Sequence, residues 1–231
     1  MVEVSIKALS GSTGPARPGL LVHADEHMLV LDKPEGMLCV PGRGEGKQDC
    51  LSARVQAVCA DALVVHRLDM ATSGLVLMAR GAAMQRVLSQ AFAERRVHKR
   101  YEAVVHGLLP AHSAWQTIEL PLLADWPNRP RSKVDLQHGK PSLTRWRVVQ
   151  HDAANELTRV ALEPVTGRSH QLRVHLQAIG HPIVGDALYA PPPQAEAASH
   201  HPARLMLHAT QLRLDHPATG QPLVFDSPTP F

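Results

Sequence analysis

The stretch VVHRLDMATSGLVLMAR, residues 64–80, decides how the chain is read. Val64 and Val65 lead into His66, Arg67 and Asp69. Thr72, Ser73 and Gly74 make a turn, and Leu75 to Met78 follow as an apolar run. Two strand-like runs around a short polar loop predict strand, loop, strand. Arg67 and Asp69 are one residue apart, so an extended backbone points both to the same side. Taken alone, they are a surface ion pair at a turn, which stabilises little. Held between rigid strands, they are a carboxylate beside a cation, aimed at a substrate. The rest of the chain decides between the two.

Upstream, residues 1–19 are rich in Ser, Gly and Pro and read as a flexible N-terminal leader. Leu20 to His23 and Met28 to Leu31 read as short strands about a turn at Asp25 and Glu26. Lys33, Pro34, Glu35 and Gly36 are expected to break the second strand. The Gly-rich segment from Pro41 to Gly46 lacks the spacing of a phosphate loop, because Lys-Gln-Asp follows it. Asp49 is placed to cap a helix running to about Ala60, with Leu51, Val55 and Val58 at helical spacing.

Downstream, residues 82–96 carry Met84, Val87, Leu88, Ala91 and Phe92 on one helical face. Lys99 to His106 alternates as a strand. Tyr101 sits on it directly after a basic cluster, either as a core ring or as one that stacks on a base. Ile118 to Leu120, Val134 to Leu136, Ser142 to Gln150 and Leu157 to Leu162 carry strand patterns, with Asn155–Glu156 as a hairpin tip. The loop DWPNRPRSK, residues 125–133, is rich in Pro and cations and reads as exposed. In residues 163–186, Ser169 is placed to cap a helix ending at Gly180, with Leu172, Leu176 and Ile179 toward the core. His170, Arg173 and Gln177 form a polar edge beside it. Arg173 near the core boundary needs an anion; Asp69 and a substrate phosphate are the two candidates. Residues 190–202 read as a surface loop. Leu205 to Leu214 and Leu223 to Phe225 read as closing strands. The chain is thus α+β, dominated by antiparallel strands, with 20–231 as a single domain.

Composition agrees with a folded core: 231 residues with 44% hydrophobic and 19% charged side chains exclude disorder. The net charge of +3 is too small to indicate nucleic acid by itself. Its distribution says more. Arg95, Arg96, His98, Lys99 and Arg100 lie together without an acid, and Arg129, Arg131, Lys133, Lys140, Arg145 and Arg147 are opposed only by Asp135. Two such clusters suit a phosphate-bearing partner. Cys39, Cys50 and Cys59 show no CxxC spacing, which argues against disulfides and structural zinc and suits a reducing cytoplasm. No HExxH pattern and no carboxylate cluster point to a metal-dependent hydrolase. No apolar run is long enough to span a membrane.

Taken together, HRLDMATSG (66–74) resembles the signature of the RluA-type pseudouridine synthases. LDKPEGM (31–37), KRYEA (99–103), PVTGRSHQLRVH (164–175) with GHPIVGD (180–186), and LMLHA (205–209) resemble that family's other elements, in order. The loop DWPNRPRSKV (125–134) resembles the family's branch acting on both ribosomal and transfer RNA. The resemblance implies a pseudouridine synthase fold, with a mixed and mostly antiparallel sheet around a central RNA-binding cleft. The chain leaves no room for the S4-like domain that many relatives carry. It further implies isomerisation of uridine in structured RNA, 23S ribosomal RNA and the tRNA anticodon stem-loop. No cofactor, no metal and no obligate protein partner are expected, and a monomer is expected.

By the same resemblance Asp69 is the catalytic carboxylate, Arg173 its cation in a salt bridge, and Tyr101 the ring that stacks on the extruded uracil. Arg67 is expected to fill the space the base vacates, and Leu207 to pack against the base. Lys99, Arg100, Arg129, Arg131 and Lys133 are expected at RNA phosphates. Arg168 and His170 are expected to organise the site, and His66 to brace the loop by hydrogen bonds. An alternative is a non-catalytic RNA-binding or ribosome-assembly factor on the same fold.

Overall fold

The computed structural model describes residues 21–44, 46–112, 114–190 and 204–231. The leader at 1–19 and nearly all of the 190–202 loop lie outside the described residues. The chain divides into two compact units. The first comprises residues up to His98 together with Ala209–Thr229; the second comprises Lys99–His208 with Pro230–Phe231.

In the first unit, β1 (Leu21–Ala24) pairs antiparallel with β2 (Met28–Lys33). β2 pairs antiparallel with β4 (Ser73–Arg80), Leu31 opposite Val76 and Lys33 opposite Gly74. β3 (Ala62–Val64) also pairs with β4, so the strand–loop–strand reading of residues 64–80 describes the backbone. β4 is buried on both faces up to Ala79, which explains its unbroken apolar run. Gly74 adopts φ +110, and a Cβ there would meet the Ala209 backbone, so the position accepts only glycine. β11 (Leu207–Asp215) pairs with β12 (Pro222–Asp226). Met28, Val30, Leu75, Leu77, Leu88, Leu212 and Leu214 form the core of this unit, and Phe92 packs against it.

Several boundaries differ from the sequence expectation, each for a local reason. Helix α1 spans Leu51–Gln56, and no side chain caps its start. Asp49 instead grips Arg54 through two 2.6 Å hydrogen bonds, a charge-assisted pair that outcompetes a cap. β2 runs on to Lys33 rather than breaking there. Helix α2 spans Gly81–Ala93. It stops short of residue 96 because Arg95 turns left-handed, φ 60, and the Arg96 amide closes on the Ala91 carbonyl.

In the second unit, β5 (His98–His106) pairs with β10 (Leu157–Pro164), β10 with β9 (Leu143–Asp152), and β9 with β6 (Gln116–Glu119), all antiparallel. Asn155–Glu156 does lie in the β9–β10 turn, where Glu156 takes φ 53. β7 (Leu122–Ala124) and β8 (Ser132–Val134) form a separate hairpin. Helix α3 (Gln171–Ala178) begins after His170, which adopts φ 56, and Ser169 does not cap it. Gln171 to Leu176 are all buried, so the expected polar edge is enclosed at Arg173 and exposed only at Gln177. The architecture is α+β with a mostly antiparallel sheet. Among the described residues no helix is long and apolar enough to cross a membrane.

Candidate active site

The loop carrying Asp69 is fixed on both sides of that residue. Leu68 is buried, and its amide donates to Cys39 Sγ at 3.2 Å. Burial pushes the Cys39 thiol up from its ordinary pKa. On the other side, Lys33 Nζ donates to the Met70 carbonyl at 3.1 Å, to Pro34 O at 2.7 Å and to Met37 O at 2.9 Å. An ammonium has three N–H donors, and three carbonyls receive them. That match permits a lysine at 0% exposure inside a strand end. The Thr72 amide closes the turn on the Asp69 carbonyl at 3.1 Å. With Leu68 turned inward, Arg67 is exposed and Asp69 half-buried.

His66 lies at the start of this loop. Its Nε2 accepts the Leu77 amide at 2.8 Å, and its ring lies 4.5 Å from Phe92. An accepting Nε2 carries no proton, so the imidazole is the neutral Nδ1–H tautomer while this bond stands.

In the second unit the buried centre is Arg173. Its Nε donates to Asp186 Oδ2 and its Nη2 to Asp186 Oδ1, each at 2.7 Å. Asp186 Oδ1 also accepts the amides of Leu188 and Tyr189, at 2.9 and 3.1 Å. Gly185, at φ +76 and against the Arg204 backbone, makes the turn that delivers Asp186. The guanidinium lies 5.0 Å over the Tyr189 ring. Tyr189 Oη accepts the Ser132 amide at 2.7 Å and lies 2.7 Å from His170 Nδ1. The turn at Gly185 therefore brings an anion to Arg173 that is neither Asp69 nor a substrate phosphate. Asp186 and Tyr189 were not singled out from the sequence. Their signal was the GDALY run after the turn at Gly185.

Gln171 was missed as well. Its Oε1 accepts from Thr166 Oγ1 at 2.7 Å and from the Arg168 amide at 3.0 Å. Its Nε2 donates to Leu143 O and Thr144 Oγ1, each at 3.0 Å. It thereby fixes the TGR turn, and Arg168 stays exposed on that turn.

Along β5, Tyr101 is buried opposite Leu162, on the face it shares with Lys99 and Ala103. A Cβ at Gly167 would come 3.7 Å from Lys99 Nζ, and burial lowers that ammonium's pKa. Arg100 points to the other face. It donates to Glu163 at 2.9 Å, and Arg145 donates to the same carboxylate at 2.9 Å. Arg129 and Arg131 are exposed in the β7–β8 loop, and Lys133 lies 3.9 Å from Asp135. Leu207 is buried at the start of β11.

A protein-family profile described as RNA pseudouridylate synthase matches residues 27–178. The dual-specificity RNA pseudouridine synthase RluA of Escherichia coli O6:H1 is 47% identical over 94% of this chain and 96% of its own length. The enzyme of the same name from Pasteurella multocida is 46% identical over 97% of this chain and 100% of its own. Among solved structures, human RNA pseudouridylate synthase domain containing 1 superposes with a TM-score of 0.74 at 29% identity, covering 94% of this chain and 87% of that one.

Proposed function

The chain belongs to the RNA pseudouridylate synthase family and is an isomerase acting on RNA; on that premise we propose that it isomerises specific uridines in 23S ribosomal RNA and in the tRNA anticodon stem-loop. The observation that carries the assignment is the double clamp around Asp69. Cys39 holds the amide of the residue before it, and the buried Lys33 ammonium holds the carbonyl of the residue after it. A carboxylate so fixed is preorganised for a reaction centre.

In the proposed reaction the C1′–N1 bond breaks, the uracil turns, and a C1′–C5 bond forms. The C5 hydrogen leaves as a proton and N1 gains one, so the product is an isomer. Asp69 supplies the ionised carboxylate at the ribose or base. Arg173, whose charge Asp186 already partners, is assigned as the cation that keeps Asp69 ionised. Tyr101 is assigned to stack on the extruded uracil, offsetting part of an unstacking cost of a few kcal/mol. Arg67 is assigned to the vacated space and Leu207 to the base edge. Lys99, Arg100, Arg129, Arg131 and Lys133 are assigned to phosphates. His66, Arg168 and His170 are assigned to organising the site. The protein works as a monomer in the cytoplasm, which suits its three free, buried cysteines.

Tritium release from RNA carrying 5-tritiated uridine tests the proposal, because closing the C1′–C5 bond expels the label. The wild type is expected to release tritium from both ribosomal and transfer RNA, with EDTA and without magnesium, and Asp69→Asn to release none. Release that survives Asp69→Asn would put the chemistry on another residue. No release with RNA binding intact would support a binding factor instead.

A further inference from the structure

We propose that Trp126 is a stacking platform for an unpaired nucleobase of the substrate RNA, other than the target uridine, with Arg129 as its backing cation. The proposal rests on the RNA-modifying reading above and adds a contact to it.

Trp126 is 65% exposed at the tip of the β7–β8 hairpin, whereas Trp146 is buried and Trp115 half-buried. A tryptophan left in water is an uncommon expense of apolar surface and marks a binding surface more often than chance. The ring is not loose. The Arg129 guanidinium lies 3.2 Å from its centroid, covering one face and fixing the ring plane. At 65% exposure the side chain keeps most of its surface in water, where a second flat group can reach it.

The loop beneath the ring is a built frame. The Asp125 amide donates to Arg131 O at 2.9 Å, the Asn128 amide to Asp125 O at 3.1 Å, and the Arg131 amide to Asn128 O at 3.0 Å. Asn128 Nδ2 adds a bond to Asp125 Oδ2 at 2.9 Å. The stem is anchored in turn. Leu122 and Val134 pack with Val174 and Tyr189, and the Ser132 amide donates to Tyr189 Oη. The ring is thus presented on a rigid arm, and stacking on it orders little that is not already ordered.

Charge selects the occupant. Residues 125–133 hold Arg129, Arg131 and Lys133 against the single carboxylate Asp125. That balance suits a base flanked by phosphodiesters. A protein partner would want contiguous apolar surface, and the loop 125–131 offers no second large apolar side chain.

The test uses the full chain and an anticodon stem-loop transcript carrying 5-tritiated uridine. RNA binding is expected to quench the indole emission of the wild type. Trp126→Ala is expected to raise Kd about tenfold, with the loss of turnover falling in KM. Trp126→Phe, which keeps a ring, is expected to bind within about twofold of wild type yet show a much smaller quench, since only Trp115 and Trp146 remain to emit. An unchanged Kd in Trp126→Ala, or a full quench in Trp126→Phe, would overturn the proposal. Absence of tritium release from the wild type with the quench intact would sink the anticodon stem-loop as a substrate and leave the stacking contact standing.

Discussion

Asp186 holds the Arg173 guanidinium in a two-point grip, Oδ2 on Nε and Oδ1 on Nη2, each at 2.7 Å, with both residues at most 5% exposed. The carboxylate is itself held by two backbone amides. Removing it takes the two-point partner from a buried cation and the acceptor from two amides, which costs about 3–5 kcal/mol. Asp186→Ala is therefore expected to lower the unfolding free energy by that amount and to abolish tritium release. Asp186→Asn, which keeps one acceptor, is expected to fall between. An unfolding free energy within about 0.5 kcal/mol of wild type would show that Arg173 has enough support without this residue.

The Asp186–Arg173 relation also shows what the sequence does and does not carry. Alternation marked β5, because strand faces have a fixed period of two, and an unbroken apolar run after a turn marked β4. Leu172 and Leu176 marked the core side of α3 for the same kind of reason. Arg173 was legible as a cation needing an anion, since its helical neighbours are apolar. That Asp186 is one of its anions was not legible, because it lies thirteen residues on, beyond a turn set by Gly185. Asp49 and Ser169 were reasonable caps by residue type. Whether a side chain caps depends on competing partners that only the folded chain supplies, and Arg54 is such a partner for Asp49. The clamp on Asp69 joins residues 33, 39 and 70, which no local pattern connects.

Lys33 offers a sharper test of that clamp. Lys33→Met keeps the length of the side chain and leaves three carbonyls without their donor. Hydrogen bonds to a charged group contribute roughly 1.5–3 kcal/mol each. The variant is expected to lose several kcal/mol in urea unfolding, and the amide of Leu68 to exchange faster with solvent. Unfolding at the wild-type urea concentration would show that the three carbonyls find other partners.

Acid stability is expected to depend on Asp25. Burial raises its pKa, but the His23 hydrogen bond and the amides of His27 and Met28 outweigh this and lower it from 3.8 to about 2. The folded pKa lies below the unfolded one. The stabilisation is thus fully present above about pH 4 and is lost as pH falls toward about 2. The side chain is half-buried, 26% exposed, and solvent screening reduces the contribution to about 1 kcal/mol. Asp25→Asn is expected to flatten the fall of Tm between those two pH values. An unchanged slope would assign the acid transition to other carboxylates.

Tyr189→Phe isolates the arm that carries the β7–β8 hairpin. The substitution keeps the ring beneath Arg173 and removes only the hydroxyl that accepts the Ser132 amide and meets His170 Nδ1. A buried amide without its acceptor costs about 1–3 kcal/mol, so a modest loss of global stability is expected. The local effect separates this role from mere packing. Amide exchange at Ser132 is expected to accelerate in Tyr189→Phe more than exchange along β9 and β10, because β8 is released at its first residue while the main sheet is untouched. RNA affinity is expected to fall with it, since Arg129, Arg131 and Lys133 ride on that hairpin. Uniform acceleration across β8, β9 and β10 would mean that the hydroxyl supports the unit as a whole and does not anchor the hairpin in particular.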